Sequence, residues 1–149
     1  MFKVVLALHV LFAIFAIGPL VHAATSAGRG VRQGDAQATT SSARTLRIYA
    51  YASLLVVMLG FALMSSKSDY THKTTASFGD TWIWLSTLLW IIAIGLVLGI
   101  LVPGLGHATE LMTEKESASA LTGRIAAAGG MVGLLFAAVV LLMVYRPGG

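Results

Sequence analysis

Four long apolar runs restrict what this chain can fold into. They cover about residues 4–24, 48–64, 82–105 and 125–144. Each is close to the ~20 residues that an α-helix needs to cross ~30 Å of hydrocarbon. None alternates as a strand would. A helix satisfies its own backbone polar groups inside lipid, so four spanning helices are expected. Of the 149 residues, 57% are hydrophobic and 11% charged, and soluble domains run near ~25% charged. The expectation is an all-α membrane protein in one domain covering residues 1–149. There is no cysteine. Disulfides, cysteine-ligated zinc and iron–sulfur clusters are therefore excluded.

The first run carries features of a secretory signal: Met1-Phe2-Lys3, an apolar core, then Val21-His22-Ala23. It also resembles an internal helix, which a disposable leader has no reason to do, so it is expected to stay. The first connection, 26–44, is rich in Gly, Ser, Thr, Ala and Gln. It reads as a solvated loop or as frayed extensions of the flanking helices. Connection 65–81 is polar, and His72 there is expected to be solvated. In 106–123, Glu110 and Glu114 stand at helical spacing, so the third helix is expected to continue past the membrane.

The net charge of +4 is read as topology rather than nucleic-acid binding, because the basic residues lie in short connections and at helix ends. Arg29, Arg32, Arg44, Arg47, Lys115 and Arg124 lie on one side; Lys3, Lys67, Lys73 and Arg146 lie on the other. The positive-inside bias then places both termini outside. Trp82 and Trp84 are expected to sit at the outer interface. Arg47 and Arg124 begin helices two and four as lipid-phosphate anchors; they could also bind an anionic lipid or pair with Glu110 or Glu114.

An internal repeat is visible. The first run ends Pro19-Leu20-Val21-His22-Ala23-Ala24-Thr25, and the third ends Pro103-Gly104-Leu105-Gly106-His107-Ala108-Thr109. Helix two opens with Arg47-Ile48 and helix four with Arg124-Ile125. The expectation is two tandem hairpins, 1–64 and 82–146, in a 2+2 parallel repeat. Gly95-x-x-x-Gly99 and Gly129-x-x-x-Gly133 are small-residue pairs expected to bring helices three and four close.

The histidines are the candidate ligands. His22 and His107 lie at one depth if the repeat holds. Facing each other they could hold a haem or a metal; alternatively each caps its own helix end, where the dipole is negative. His9 lies roughly 20 Å along the axis from His22, too far to share one ligand. It is expected to hydrogen-bond a neighbouring helix. No carboxylate lies within a crossing, and no nucleophile–base pair, phosphate-binding glycine loop or zinc motif is present. Neither an enzyme nor a pump is expected. The scattered methionines form no copper-binding cluster, so neither a resident metal nor a cofactor is expected.

Leu8-His9-Val10-Leu11-Phe12-Ala13, followed by Gly18, resembles the first helix of small four-helix bacterial "predicted integral membrane protein" families. More distantly it is similar to the copper-resistance D-type and haem-dependent protoporphyrinogen oxidase families. The haem-dependent resemblance implies His9 as a ligand to haem b. The Ala/Gly/Arg-rich composition resembles actinobacterial accessory subunits of the cytochrome bcc–aa3 respiratory supercomplex. That likeness implies a non-enzymatic stabilising subunit in the bacterial inner membrane, with other membrane subunits and lipids as partners and no nucleic acid or soluble small-molecule substrate.

Overall fold

The computed structural model describes residues 1–67 and 76–148; His72, Lys73 and Asp69 lie outside them. Four helices form the described chain: α1 Phe2–Gln33, α2 Ala36–Ser65, α3 Thr81–Thr113 and α4 Ser119–Tyr145. All four are long and apolar enough to cross a membrane. At 1.5 Å per residue the 33 residues of α3 reach about 50 Å, well beyond ~30 Å of hydrocarbon.

The excess length lies at the Arg-rich end. The first connection is helix almost throughout, broken only at Gly34-Asp35. Gly34 takes φ +65° as the left-handed cap of α1, a conformation that costs glycine nothing. Asp35 caps α2 by accepting a hydrogen bond from the Ala38 N–H at 3.0 Å. Hydropathy does not register these extensions because their composition is polar. They are held instead by a buried stripe of small residues, Ala27, Gly28, Val31 and Thr39. The third helix does continue beyond its apolar run, as far as Thr113.

Both proline-bearing helices contain one π-helical turn, at Ala13–Ile17 in α1 and at Val97–Leu101 in α3. Each ends two residues before a proline, Pro19 or Pro103. Proline has no N–H, so it cannot bond the carbonyl four residues back, and its ring crowds that carbonyl. A local i→i−5 turn relieves the crowding, as when the Val102 N–H bonds the Val97 carbonyl.

The core is concentrated toward the Arg-rich half, where Leu20, Leu46, Leu101, Leu105 and Ile125 are almost completely buried. All four helices meet there. Toward the termini, the first turns of α1 pack on α2, and the first half of α3 packs on α4.

The close approach lies between α1 and α4. A Cβ at Gly129 would collide with the Ala24 carbonyl, and one at Gly133 would stand 3.1 Å from Thr25 Cγ2. A Cβ at Gly28 would stand 3.0 Å from Ala126 Cβ. The expectation that the glycine pairs join helices three and four is therefore corrected. A Cβ at Gly95 or Gly99 would meet nothing within 4 Å. The buried seam of α3 passes through Ile83, Ser86, Ala93, Val97 and Leu101, and Gly95 is two residues off it, on the opposite face.

Candidate functional site

Polar atoms inside an apolar bundle are costly unless partnered, so they are the first places to look for function. On α1, His9 is half-buried against α2. Its Nδ1 stands 3.0 Å from the Val56 carbonyl oxygen. A carbonyl only accepts, so Nδ1 carries the proton and donates. Nε2 then keeps its lone pair. Gly60 makes room for the ring: a Cβ there would meet His9 Cε1 at 3.3 Å. The expected bond to a neighbouring helix is thus formed.

Two further polar links join α2 to α3. Trp90 Nε1 donates to Ser53 Oγ at 3.1 Å, and Ser53 in turn donates to the Ala50 carbonyl at 2.6 Å. Near the Arg-rich end the Thr39 and Thr109 hydroxyls lie 2.7 Å apart, with Thr39 fully buried. Buried Ser86 Oγ has no partner among the described residues. None of these hydroxyl links was singled out from the sequence. Ser, Thr and Trp inside apolar runs were the available signal.

The other two candidate histidines do not form a site together. His22 is exposed, and its ring makes no hydrogen bond or ion pair among the described residues. Its carbonyl accepts from Thr25 and Ser26. His107 is also exposed; it faces the Glu110 carboxylate at 3.8 Å and lines a groove between α2 and α3 that His22 does not reach. His22 stands three residues beyond its proline and His107 four, which turns the rings about 100° apart on their helices. Among the described residues no group of three or more His, Asp or Glu could hold a metal.

Of the basic anchors, Arg47 lines that same groove, whose volume is about 510 Å³, together with Tyr51 and Pro103. Arg124 is exposed at the start of α4 and does not reach it. The two helix starts also differ in packing. Ile48 is 52% exposed whereas Ile125 is buried, so the Arg-Ile pairs are not packed alike. At the termini end Trp84 Nε1 donates to the Phe78 carbonyl, and the Arg146 guanidinium lies 5.5 Å from the Trp82 ring centre. An exposed Trp84 and a partly buried Trp82 at a helix start suit a membrane–water boundary.

Four apolar helices with lipid-facing flanks and buried small-residue contacts define a multi-pass integral membrane protein. The family described as "Predicted integral membrane protein (DUF2269)" matches residues 3–147, and the chain belongs to that family. No curated protein and no solved structure matches it.

Proposed function

We propose that this chain is a non-enzymatic accessory subunit that stabilises a larger membrane complex by docking on a partner's helices. One observation carries the reading. Gly95 and Gly99 form a small-residue face that the bundle leaves open, flanked by Leu88, Ile91 and Ile92, which are 43–55% exposed. In lipid, helices associate through close backbone approach, and such faces permit it. In this reading the protein lies in the bacterial inner membrane with both termini outside, as the distribution of basic residues suggests.

The bundle is built as two tandem hairpins. In support, Ala13, Pro19 and Thr25 of α1 keep the same spacing as Val97, Pro103 and Thr109 of α3. Both π turns begin at the first residue of each set. Thr25 Oγ1 donates to the Val21 carbonyl as Thr109 Oγ1 does to Leu105.

The test is to purify the tagged full chain from native membranes in mild detergent and identify what accompanies it. The resemblance to bcc–aa3-associated factors makes respiratory subunits the first to look for. Gly95→Leu/Gly99→Leu should release the partner while the bundle stays folded, since neither Cβ meets anything. Recovery of the chain alone, or a partner retained by the double variant, overturns the reading.

The His9 geometry favours a second reading, a haem-binding bundle. Metal-bound imidazoles commonly donate their other N–H to a carbonyl, as Nδ1 does to Val56. Among the described residues no second histidine accompanies His9 in this half of the bundle, so these residues would supply one axial ligand. A Soret band that His9→Ala abolishes would support this reading; a colourless preparation from native membranes would dismiss it.

A further inference from the structure

The groove between α2 and α3 at the Arg-rich end changes character along its length. Where α2 enters the apolar run, its walls are Tyr51, Leu98, Val102 and Pro103. One turn further out stand Arg47, His107 and Glu110. A second cavity of about 480 Å³ continues along the same helix pair and is lined by Thr40, Arg44 and Thr113. Thr40, Arg44, Arg47 and Tyr51 follow one another at spacings of four, three and four, so one face of α2 forms the whole wall.

Arg47 directly precedes the apolar run of α2, at the level where lipid phosphates sit, and Tyr51 lies about 6 Å deeper. Glu110 is the one carboxylate lining the groove among the described residues, and it is turned to His107 at 3.8 Å. Neither guanidinium forms an ion pair with a carboxylate among the described residues, so both are left to face a ligand. Guanidinium is suited to phosphodiester oxygens by its planar fork of donors. The apolar half offers nothing to a free anion but matches the first carbons of an acyl chain.

We propose that this groove seats one anionic glycerophospholipid, its phosphodiester between Arg44 and Arg47 and an acyl chain against Tyr51, Leu98 and Val102. The site is independent of whether the chain docks on a partner. It is distinct from lipid anchoring by any basic helix end, because it requires the α2–α3 groove as well as the charge.

Native mass spectrometry of the full-length protein, equilibrated in detergent with phosphatidylglycerol or phosphatidylcholine, tests it. Wild type should retain one phosphatidylglycerol and no phosphatidylcholine. Arg44→Gln/Arg47→Gln should bind about 30-fold more weakly, the effect of removing two arginines near an anionic headgroup. Arg124→Gln, at the same end but outside the groove, should bind as wild type.

Gly106→Phe keeps every charge and fills the groove. A Cβ at Gly106 meets nothing within 4 Å, so the new side chain starts in open space, and a wild-type helical circular dichroism spectrum is required of this variant before its lipid content is read. It should lose the lipid. Equal loss with Arg124→Gln, equal retention of phosphatidylcholine, or retention by Gly106→Phe would each overturn the proposal. So would displacement of the lipid by an equal concentration of inorganic phosphate, which would mark a site for free anions.

Discussion

Gly129→Ala tests the contact on which the fold depends most. The added Cβ would collide with the Ala24 carbonyl oxygen and lie 2.8 Å from its carbonyl carbon. Both atoms belong to the α1 backbone, so no rotamer change relieves the conflict. Reaching an ordinary contact of about 3.5 Å requires the helices to part by at least about 0.7 Å to clear the carbon, and further to clear the oxygen. A gap of that size forfeits roughly a quarter to a half of each dispersion well across the interface. The loss extends to the neighbouring contacts of Gly28 with Ala126 and of Gly133 with Thr25. Overpacking a filled interior costs about 1–3 kcal/mol, and rigid backbone on both sides places this case at about 2–3 kcal/mol. Gly95→Ala is the control, because its Cβ enters open space. Alanine's helix preference of about 1 kcal/mol largely cancels when the unfolded reference is itself helical. Reversible unfolding with dodecyl sulfate in mixed micelles measures both. The expected result is a loss of about 2–3 kcal/mol for Gly129→Ala and a change within about 0.5 kcal/mol for Gly95→Ala. If both variants match wild type, α1 and α4 do not approach through Gly129.

The polar links give three further expectations. A double-mutant cycle of Ser53→Ala and Trp90→Phe should return a coupling of about 0.6 kcal/mol, with about 1.7 kcal/mol as the upper bound for such bonds in membranes; zero coupling would mean the bond is absent. Thr39→Val should destabilise by about 1 kcal/mol in the same unfolding assay, and adding Thr109→Val should cost less than its separate effect. Nitrogen-15 NMR of His9 should find the proton on Nδ1, and Gly60→Val should shift that resonance by crowding the ring. A proton on Nε2 would contradict the bond to Val56.

The spans were legible in the sequence because hydropathy reports the cost of placing backbone and side chains in lipid. The direction each helix faces was not. Lipid is as apolar as the core, so α3 offers no amphipathic stripe to separate Gly95 from Ala93, although the first is open and the second fully buried. The helix extensions were partly legible, through the spacing of Glu110 and Glu114; Gly34 as a stop and Asp35 as a cap were not singled out from the sequence. His9 could be read as bonded to a neighbour, because an imidazole within lipid needs a partner; that the acceptor is the Val56 carbonyl required the fold. The pairing of His22 with His107 failed because His22 stands three residues beyond Pro19 and His107 four beyond Pro103, although Thr25 and Thr109 keep the same spacing, and one residue is about 100° of a helix.

The prolines connect these observations. Ahead of Pro103, the π turn inserts one residue into the α-helical register, so a face counted forward at 3.6 residues per turn from Trp90 is misplaced beyond Leu101. Gly99 lies inside that turn and its carbonyl is the one Pro103 cannot bond. In α1 the same holds for Phe15, which is 66% exposed and precedes Pro19 by four residues. Each long helix thus presents weakened backbone pairing toward lipid at the level where its packing changes. The first half of α3 leans on α4, while beyond the turn it packs on α2; the first turns of α1 lean on α2, while beyond its turn it packs mainly on α4. The π turns are where each helix exchanges its main neighbour, and this lets two hairpins that are nearly separate at the termini end close into one core at the Arg-rich end. A straight α-helix would hold one seam along its whole length and could not serve both arrangements.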